Sequence, residues 1–270
     1  MRLALVGGGA MGEAIVAAVL KAGLTTPDAI AVVELVASRR DYLAKTYGVA
    51  VTDSHGGAVA AADLVLLAVK PQDFEKAAGQ IAQAMPSGAA AVSIMAGVTV
   101  GRIAKALSTS AVVRAMPNTP AQIGEGMTVW TATPETPADA KESARSVFAA
   151  LGREAFVPDE KYLDMATALS GSGPAYVFLF IEALIDAGVH VGLARDLATT
   201  MALQTVLGSA RYMDATGTHP ALLRNQVTSP AGTTAEALRA LEAGGLRAAV
   251  LEAVIAAYNR SRALGETETK

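Results

Sequence analysis

Short apolar runs alternate with longer stretches of helical spacing through the first half of the chain. The apolar runs predict strands, and the stretches with apolar residues every three or four positions predict helices. The predicted strands cover residues 3–6, 30–33, 63–69, 90–95 and 111–116, with 127–131 as a further strand. The predicted helices cover residues 11–22, 39–47, 74–85, 100–107 and 138–151. This alternation indicates an α/β fold with a Rossmann-like, doubly wound and mostly parallel sheet.

The second half of the chain changes character and shows almost only helical patterns. Helices are predicted at residues 176–189, 196–215 and 235–264, which are rich in Ala and Leu. A helix that is apolar most of the way round needs partners on several sides. We therefore expect a domain of residues 1–157 and an all-helical domain of residues 158–270 that forms a homodimer. A self-contained helical bundle is the alternative interpretation.

Composition and charge narrow the range of partners. The chain has 270 residues, is 52% hydrophobic and carries a formal net charge of -3, so bulk charge gives no attraction to nucleic acid. No apolar run approaches the roughly 18 residues of a membrane span, and the apolar start is too short for a signal peptide. We expect a cytoplasmic protein. The chain has no Cys and three widely spaced His residues, which argues against a metal site.

A glycine motif, Gly7-Gly8-Gly9-Ala10-Met11-Gly12, follows the first predicted strand directly and opens the first helix. It fits G-x-G-x-x-G in the context that a dinucleotide site requires. Gly7 allows a tight turn, Gly9 lets the backbone approach a pyrophosphate, and Gly12 lets the helix pack close to the strand. The phosphates would then meet the N-terminus of the helix.

The end of the second predicted strand leaves the type of dinucleotide open. Glu34 stands where a carboxylate binds ribose hydroxyls and favours NAD. Ser38, Arg39 and Arg40 follow closely and could instead hold a 2′-phosphate. The alternative is that Ser38 is a helix N-cap and that both arginines are solvated.

Two further strand ends would line the same crevice. The segment 68–71, Ala-Val-Lys-Pro, places Lys70 where it could reach a phosphate or a ribose, although a solvated lysine is the plain alternative. In the segment 116–120, two prolines exclude regular structure, and Asn118 could face the nicotinamide amide or the substrate. A plain turn is an equally good interpretation of that segment.

Two segments of the second half precede helices. Residues 170–176, Ser-Gly-Ser-Gly-Pro-Ala-Tyr, form a helix entry with Pro174 near the first turn. In the segment 229–236, Thr233 and Glu236 fit a capping box. Gly232 just before that helix, free N–H groups and two threonine hydroxyls also suit a carboxylate, and a cap can bind an anion as well.

Taken together, these segments resemble those of the pyrroline-5-carboxylate reductase family. The resemblance extends from Gly7 to about Leu264, and its most specific parts are residues 68–71, 115–120, 169–176 and 229–234. It implies NAD(P)H-dependent reduction of 1-pyrroline-5-carboxylate to L-proline, the last step of proline biosynthesis. It also implies a Rossmann-like domain and a helical domain that binds substrate and dimerises, with a higher assembly of dimers left open.

The resemblance assigns roles by position. NADPH is the expected cofactor, and Glu34 leaves NADH open. Positions that resemble cofactor contacts are Val6, Gly7, Gly8, Gly9, Ala10, Met11, Gly12, Glu34, His55, Ala68, Val69, Lys70, Pro71, Ile94, Met95, Ala96, Asn118 and Gln226. Positions that resemble substrate contacts are Glu160, Ser229, Gly232, Thr233 and Thr234, and catalytic roles are expected for Thr167 and Thr234.

Four departures from the family pattern affect these roles. His55 and Gln226 stand where the family can place an asparagine, and Ala231 replaces the first glycine of a Gly-Gly pair. The residues after the second strand depart from the basic pattern suited to NADP.

Two other interpretations of the function stay open: another imine or β-hydroxyacid reductase on the same scaffold, and a dinucleotide-sensing module without chemistry.

Overall fold

The computed structural model describes residues 1–267, and side chains as far as Gly265. The chain forms two compact units. Of the described residues, the first unit comprises Met1–Ser172 and residues 257–267, and the second comprises Gly173–Ala256. The boundary lies after the expected residue 157, because the helix that follows residue 160 packs against two strands of the first unit.

The first unit is built on one eight-stranded sheet. Its strands are β1 (Leu3–Val6), β2 (Ile30–Val33), β3 (Ala50–Thr52), β4 (Leu64–Leu67), β5 (Ala90–Ser93), β6 (Val112–Met116), β7 (Gly126–Ala132) and β8 (Gly152–Phe156). The strand order is β3-β2-β1-β4-β5-β6-β7-β8. Strands β1 to β6 are parallel, and β7 runs antiparallel to β6, which confirms the mostly parallel, doubly wound sheet.

Helices cover both faces of this sheet. Those of the first unit are α1 (Ala10–Lys21), α2 (Ala37–Tyr47), α3 (His55–Val59), α4 (Pro71–Ala84), α5 (Val100–Leu107), α6 (Ala138–Ala150) and α7 (Lys161–Ala166). Two hydrophobic cores result, one on each side of the sheet. One core includes Ile15 of α1 and Phe148 of α6, and the other includes Phe74 of α4 and Ile103 of α5.

The second unit contains only helices, as expected. They are α8 (Gly173–His190), α9 (Arg195–Thr216), α10 (Pro220–Gln226), α11 (Thr233–Ala243) and α12 (Leu246–Thr267), of which α12 continues into the first unit. Helix α8 packs against α9. The single helix expected at 235–264 was wrong, because the chain turns at Gly244 and at Gly245, which has φ +73°.

The elements that the sequence pattern did not predict are mostly short. Strand β3 has three residues, and α3 contains Gly56 and Gly57, which have low helix propensity. Strand β8 pairs with β7 at Gly152, which has φ +139°. A Cβ atom at Gly152 would overlap the backbone of Gly126, so only glycine allows this close pairing.

We expect Gly152→Ala to lower the free energy of unfolding by at least about 2 kcal/mol, because left-handed backbone strain and overpacking add at this position. Urea denaturation followed by circular dichroism measures this change. Gly79→Ala is the matched control: Gly79 lies within α4 with open space around its Cα, so alanine should stabilise by about 0.5–1 kcal/mol. An equal effect of both substitutions would contradict the structural argument.

Candidate functional site

The strand order of the sheet reverses between β1 and β4, and a predicted motif follows each of these strands. Such a switch point is where open α/β sheets bind ligands. The Gly7 N–H donates to the Val33 carbonyl over 2.9 Å. A Cβ atom on Gly7, which has φ +109°, would lie 2.7 Å from the Ala68 carbonyl oxygen. The glycine motif and the segment 68–71 are therefore adjacent.

Helix α1 begins inside the glycine motif, with Gly9 as its N-cap and no side chain capping it. A Cβ atom on Gly12 would overlap the Gly7 carbonyl oxygen, so this glycine permits the close approach of α1 to β1. A Cβ atom on Gly9 would meet nothing within 4 Å. Open space and uncapped helix N–H groups fit the pyrophosphate of a dinucleotide.

The Glu34 carboxylate lies against this motif. It accepts hydrogen bonds from the Gly8 N–H (3.1 Å) and the Val36 N–H (2.9 Å). The proposed capping role of Ser38 was wrong, because α2 begins at Ala37 with Val36 as its N-cap. The glycine motif is thus tied through Gly8 to the end of β2, where a ribose would bind.

Glu13, in the first turn of α1, is a charged residue of this region that sequence reasoning missed. Its carboxylate pairs with Arg39 and accepts hydrogen bonds from the Tyr42 hydroxyl (2.9 Å) and the Tyr47 hydroxyl (2.8 Å). Burial acts to raise the pKa of Glu13, but these three donors outweigh it and leave the pKa lowered. Burial and the bond to Glu13 raise the pKa of Tyr47 to about 12.

The remaining cofactor contacts expected in the first unit differ in how far their side chains are exposed. Lys70 is the N-cap of α4, with Pro71 as the first helical residue, and its side chain is exposed. The side chains of Val6 and Met95 lie in a hydrophobic core, at 0% and 3% exposure. These two can therefore face a ligand only through the backbone. The His55 Nδ1 lies 3.1 Å from the Gln80 Oε1, so the contact found for this side chain is with α4.

Asn118 links two of the expected segments. Its Oδ1 accepts a hydrogen bond from the Met127 N–H (2.8 Å), and its Nδ2 donates to the Ser170 carbonyl (3.0 Å). Segment 116–120 is not wholly irregular, since a 3₁₀ turn covers Thr119–Ile123. Asn118 thereby holds the loop after β6 against the segment that contains Thr167.

Thr167 begins a π-turn over Thr167–Gly171. Such turns within helices are frequent at functional sites. The Thr167 hydroxyl donates to the Leu163 carbonyl over 2.7 Å. A role as hydrogen-bond donor to a ligand would therefore require this hydroxyl to rotate away from Leu163.

Glu160 lies between a buried charge and a helix N-terminus. Its carboxylate pairs with the guanidinium of Arg114 on β6, whose side chain is 5% exposed. The same oxygen accepts a hydrogen bond from the Val100 N–H, the first residue of α5, over 2.7 Å. Arg114 is a second charged residue that sequence reasoning missed. A lone arginine among the apolar residues of a central strand was the available signal.

The second unit holds the other expected group, at the start of α11. The capping box was wrong: Gly232 is the N-cap and Thr233 the first helical residue, with no side-chain cap. The cause is Ala231, which adopts a left-handed backbone with φ +57° and turns the chain into the helix. A Cβ on Gly232 would overlap the Ser229 hydroxyl. The helix N–H groups of Thr233 and Thr234 stay uncapped, as anion binding needs.

The comparisons with known proteins agree on one family. A family model described as pyrroline-5-carboxylate reductase dimerisation matches residues 160–264, and one described as NADP oxidoreductase, coenzyme F420-dependent, matches residues 2–97. The pyrroline-5-carboxylate reductase of Synechocystis sp. is 44% identical over 266 residues, covering 98% of this chain and 99% of that protein. That of Arabidopsis thaliana is 38% identical, covering 98% of this chain and 96% of the relative.

The chain belongs to the pyrroline-5-carboxylate reductase family. Solved structures of similar proteins share the fold. The pyrroline-5-carboxylate reductase of Coxiella burnetii has a TM-score of 0.90 at 36% identity, covering 97% of this chain and 98% of that one. The Plasmodium falciparum pyrroline carboxylate reductase, solved with NADP bound, has a TM-score of 0.89 at 31% identity, with 98% of each chain covered.

The helices of this reductase's second unit expose many large apolar side chains. Helix α8 has none of its residues buried, and Phe178 and Leu179 are 60% and 67% exposed. The helical run Lys161–His190 is long and apolar enough to cross a membrane by length and composition alone, with 6% of its most apolar stretch buried. Residues 160–264 match a family model for dimerisation, so a second chain, rather than a membrane, can cover this surface.

We expect Glu160→Gln to lower the free energy of unfolding by about 1.5–3 kcal/mol, because the buried guanidinium of Arg114 loses its counter-charge. Thermal denaturation of the purified protein measures this loss. The double variant Arg114→Met with Glu160→Gln should regain part of the stability, since no buried charge is then left unpaired.

Glu142→Gln is the control for that comparison, because its ion pair with Arg145 is exposed and should contribute little. A double variant that is less stable than Glu160→Gln alone would show that the pair does not act as a charge-compensating unit.

Proposed function

We propose that this chain reduces 1-pyrroline-5-carboxylate to L-proline with NADPH, the last step of proline biosynthesis. The observation that supports this most strongly is similarity over nearly the whole length to reductases named for that substrate. A glycine motif at the switch point of the sheet supports the dinucleotide. The Plasmodium falciparum relative, solved with NADP, favours the phosphorylated form.

The residues around the switch point fit a dinucleotide. Residues 7–12 provide helix N–H groups and open space for the pyrophosphate, and the exposed Lys70 provides a cation at the next strand end. Ile94 and Ala96 follow the end of the next strand, β5, and their side chains are only partly buried. When bound, the dinucleotide supplies the hydride, and the protein supplies binding and orientation.

The substrate is a cyclic imine that carries a carboxylate. We assign this carboxylate to the start of α11, where Thr233 and Thr234 offer backbone N–H groups and hydroxyls at the positive end of the helix dipole. Ser229 and Gly232 shape that turn, and Gln226 at the end of α10 stays a proposed cofactor contact. Protonation of the imine nitrogen makes the imine carbon electrophilic, so alignment of this carbon with the hydride donor is the main requirement.

In this proposal, Thr167 or a water molecule donates a hydrogen bond at the ring nitrogen. Asn118 holds the Ser170 carbonyl and so fixes the π-turn that begins at Thr167. Glu160 anchors α5 and Arg114 close to the start of α7. In this proposal, Glu160 also contacts the substrate in addition to anchoring these two elements.

The assay of the purified chain with 1-pyrroline-5-carboxylate tests the function. We expect oxidation of NADPH, followed at its absorbance maximum, with formation of L-proline, and a parallel run with NADH measures the preference between the two dinucleotides. Absence of oxidation with both would overturn the proposal.

Within that assay, Thr234→Ala should lower kcat/KM for 1-pyrroline-5-carboxylate about 10- to 100-fold, because a hydroxyl bound to a charged group is lost. Thr199→Ala on α9 removes an exposed threonine hydroxyl of the same unit and should leave kcat/KM nearly unchanged. Unchanged kinetics of Thr234→Ala would remove Thr234 from the site.

We also propose that the chain is a soluble cytoplasmic homodimer, with the exposed apolar side chains of the second unit covered by a second copy. A higher assembly of such dimers would bury more of them. Covering a contiguous apolar surface by self-association is the usual solution for helices without a single buried face.

Sedimentation equilibrium measures this directly, and we expect twice the chain mass of 27.4 kDa, or a multiple of that dimer mass. Leu179→Asp places a charge among these exposed residues and should shift the equilibrium towards single chains. A wild-type protein that sediments as one chain at micromolar concentration would contradict the dimer.

A further inference from the structure

Glu13 gathers three donors at the edge of the glycine motif, and the proposed reaction uses none of them. Besides the two tyrosine hydroxyls, it pairs with Arg39, whose guanidinium also lies over the Tyr42 ring at 5.0 Å from the ring centre. Four side chains from α1 and α2 thus form one charged cluster, which we call the Glu13 cluster: Glu13, Arg39, Tyr42 and Tyr47.

Arg39 connects this cluster to the backbone of the glycine motif. Its Nε donates to the Gly8 carbonyl over 2.7 Å, while the Gly8 N–H donates to Glu34. Both the backbone N–H and the backbone carbonyl of Gly8 are therefore bound by side chains. The Arg39 side chain is 27% exposed, and its Nη1 makes no hydrogen bond among the described residues. The two N–H groups of Nη1 can therefore donate to a ligand.

Arg40, the other basic residue after β2, is committed elsewhere. Its Nη1 donates to the backbone carbonyls of Glu34 (2.8 Å) and Leu35 (2.9 Å), and its Nη2 lies 3.4 Å from the Asp53 carboxylate. Arg39 is therefore the arginine better placed to bind an anion beside the glycine motif. Its charge, however, is already balanced by Glu13.

We propose that Glu13 sets the preference of this chain between NADPH and NADH, by competing with the 2′-phosphate of NADPH for Arg39. This inference rests on the proposed use of a nicotinamide dinucleotide. The fold places the adenosine ribose at the end of β2, where an arginine accommodates a 2′-phosphate. The phosphate adds nearly two negative charges, which the Glu13 carboxylate repels and Arg39 attracts. NADH lacks that group, so the charge of Glu13 weakens the binding of NADPH and not that of NADH.

Calorimetric titration of NADPH and of NADH into the purified protein tests this without the imine substrate. Glu13→Gln keeps the shape of the side chain and one acceptor oxygen, which can still receive the two tyrosine hydroxyls, but removes the charge. We expect the Kd of NADPH to fall about three- to tenfold and the Kd of NADH to stay within about twofold. A ratio of the two Kd values equal to that of the wild type would overturn the inference, as would an equal loss of affinity for both.

Tyr47→Phe is the matched control, because it removes one hydrogen bond to Glu13 and leaves the ion pair with Arg39 intact. It should leave the Kd ratio unchanged, and a change as large as that of Glu13→Gln would show that packing of the cluster, rather than the charge of Glu13, sets the ratio.

Arg39→Met provides a second measurement that does not depend on a Glu13 variant. It should weaken NADPH binding at least about tenfold more than NADH binding. Equal weakening of both dinucleotides would overturn the inference. A wild-type protein that binds both dinucleotides but reduces no 1-pyrroline-5-carboxylate would instead refute the proposed function and leave this inference standing.

Discussion

The first unit depends on how closely helix α1 approaches strand β1. A side chain at Gly12 would occupy the place of the Gly7 carbonyl oxygen, so the two elements can meet only through glycine. This contact fixes where α1 begins, and with it the direction of its free N–H groups at the switch point of the sheet. The ties from Gly8 to Glu34 and Arg39 hold the same turn from the other side. A dinucleotide site at this edge therefore follows from backbone geometry more than from any reactive side chain.

The sequence pattern was sufficient where elements are long and periodic. It predicted β1, β2, β4, β5, β6 and the all-helical second unit, because buried parallel strands are continuous apolar runs and helices repeat every three to four residues. It failed for β3 and α3, which have three and five residues and are too short to show a period. It also failed at residues 233–236, where a capping-box pattern was present but the left-handed Ala231 shifted the helix start by one residue.

The site divides in the same way between what a motif can reveal and what only packing can. The glycine motif was recognisable because its residues are consecutive in sequence. The Glu13 cluster and the Arg114–Glu160 pair join residues 26 to 46 positions apart, and no local spacing marks them. Asn118 had the right position at a strand end, yet its contacts show a brace between two loops. Long-range charge pairing is therefore the part of this site that the sequence alone conceals.

The left-handed alanine at position 231 has a consequence for how the turn before α11 is maintained. An alanine samples fewer backbone states than glycine in the unfolded chain, so less entropy is lost when it is fixed, but its methyl group makes the positive φ costly. At a positive φ this cost outweighs the entropy saved, so the turn persists only because neighbouring contacts hold it, such as the hydrogen bond from the Gly232 N–H to the Ser229 carbonyl (3.1 Å). The start of α11 therefore keeps its shape through its surroundings and not through the preference of residue 231.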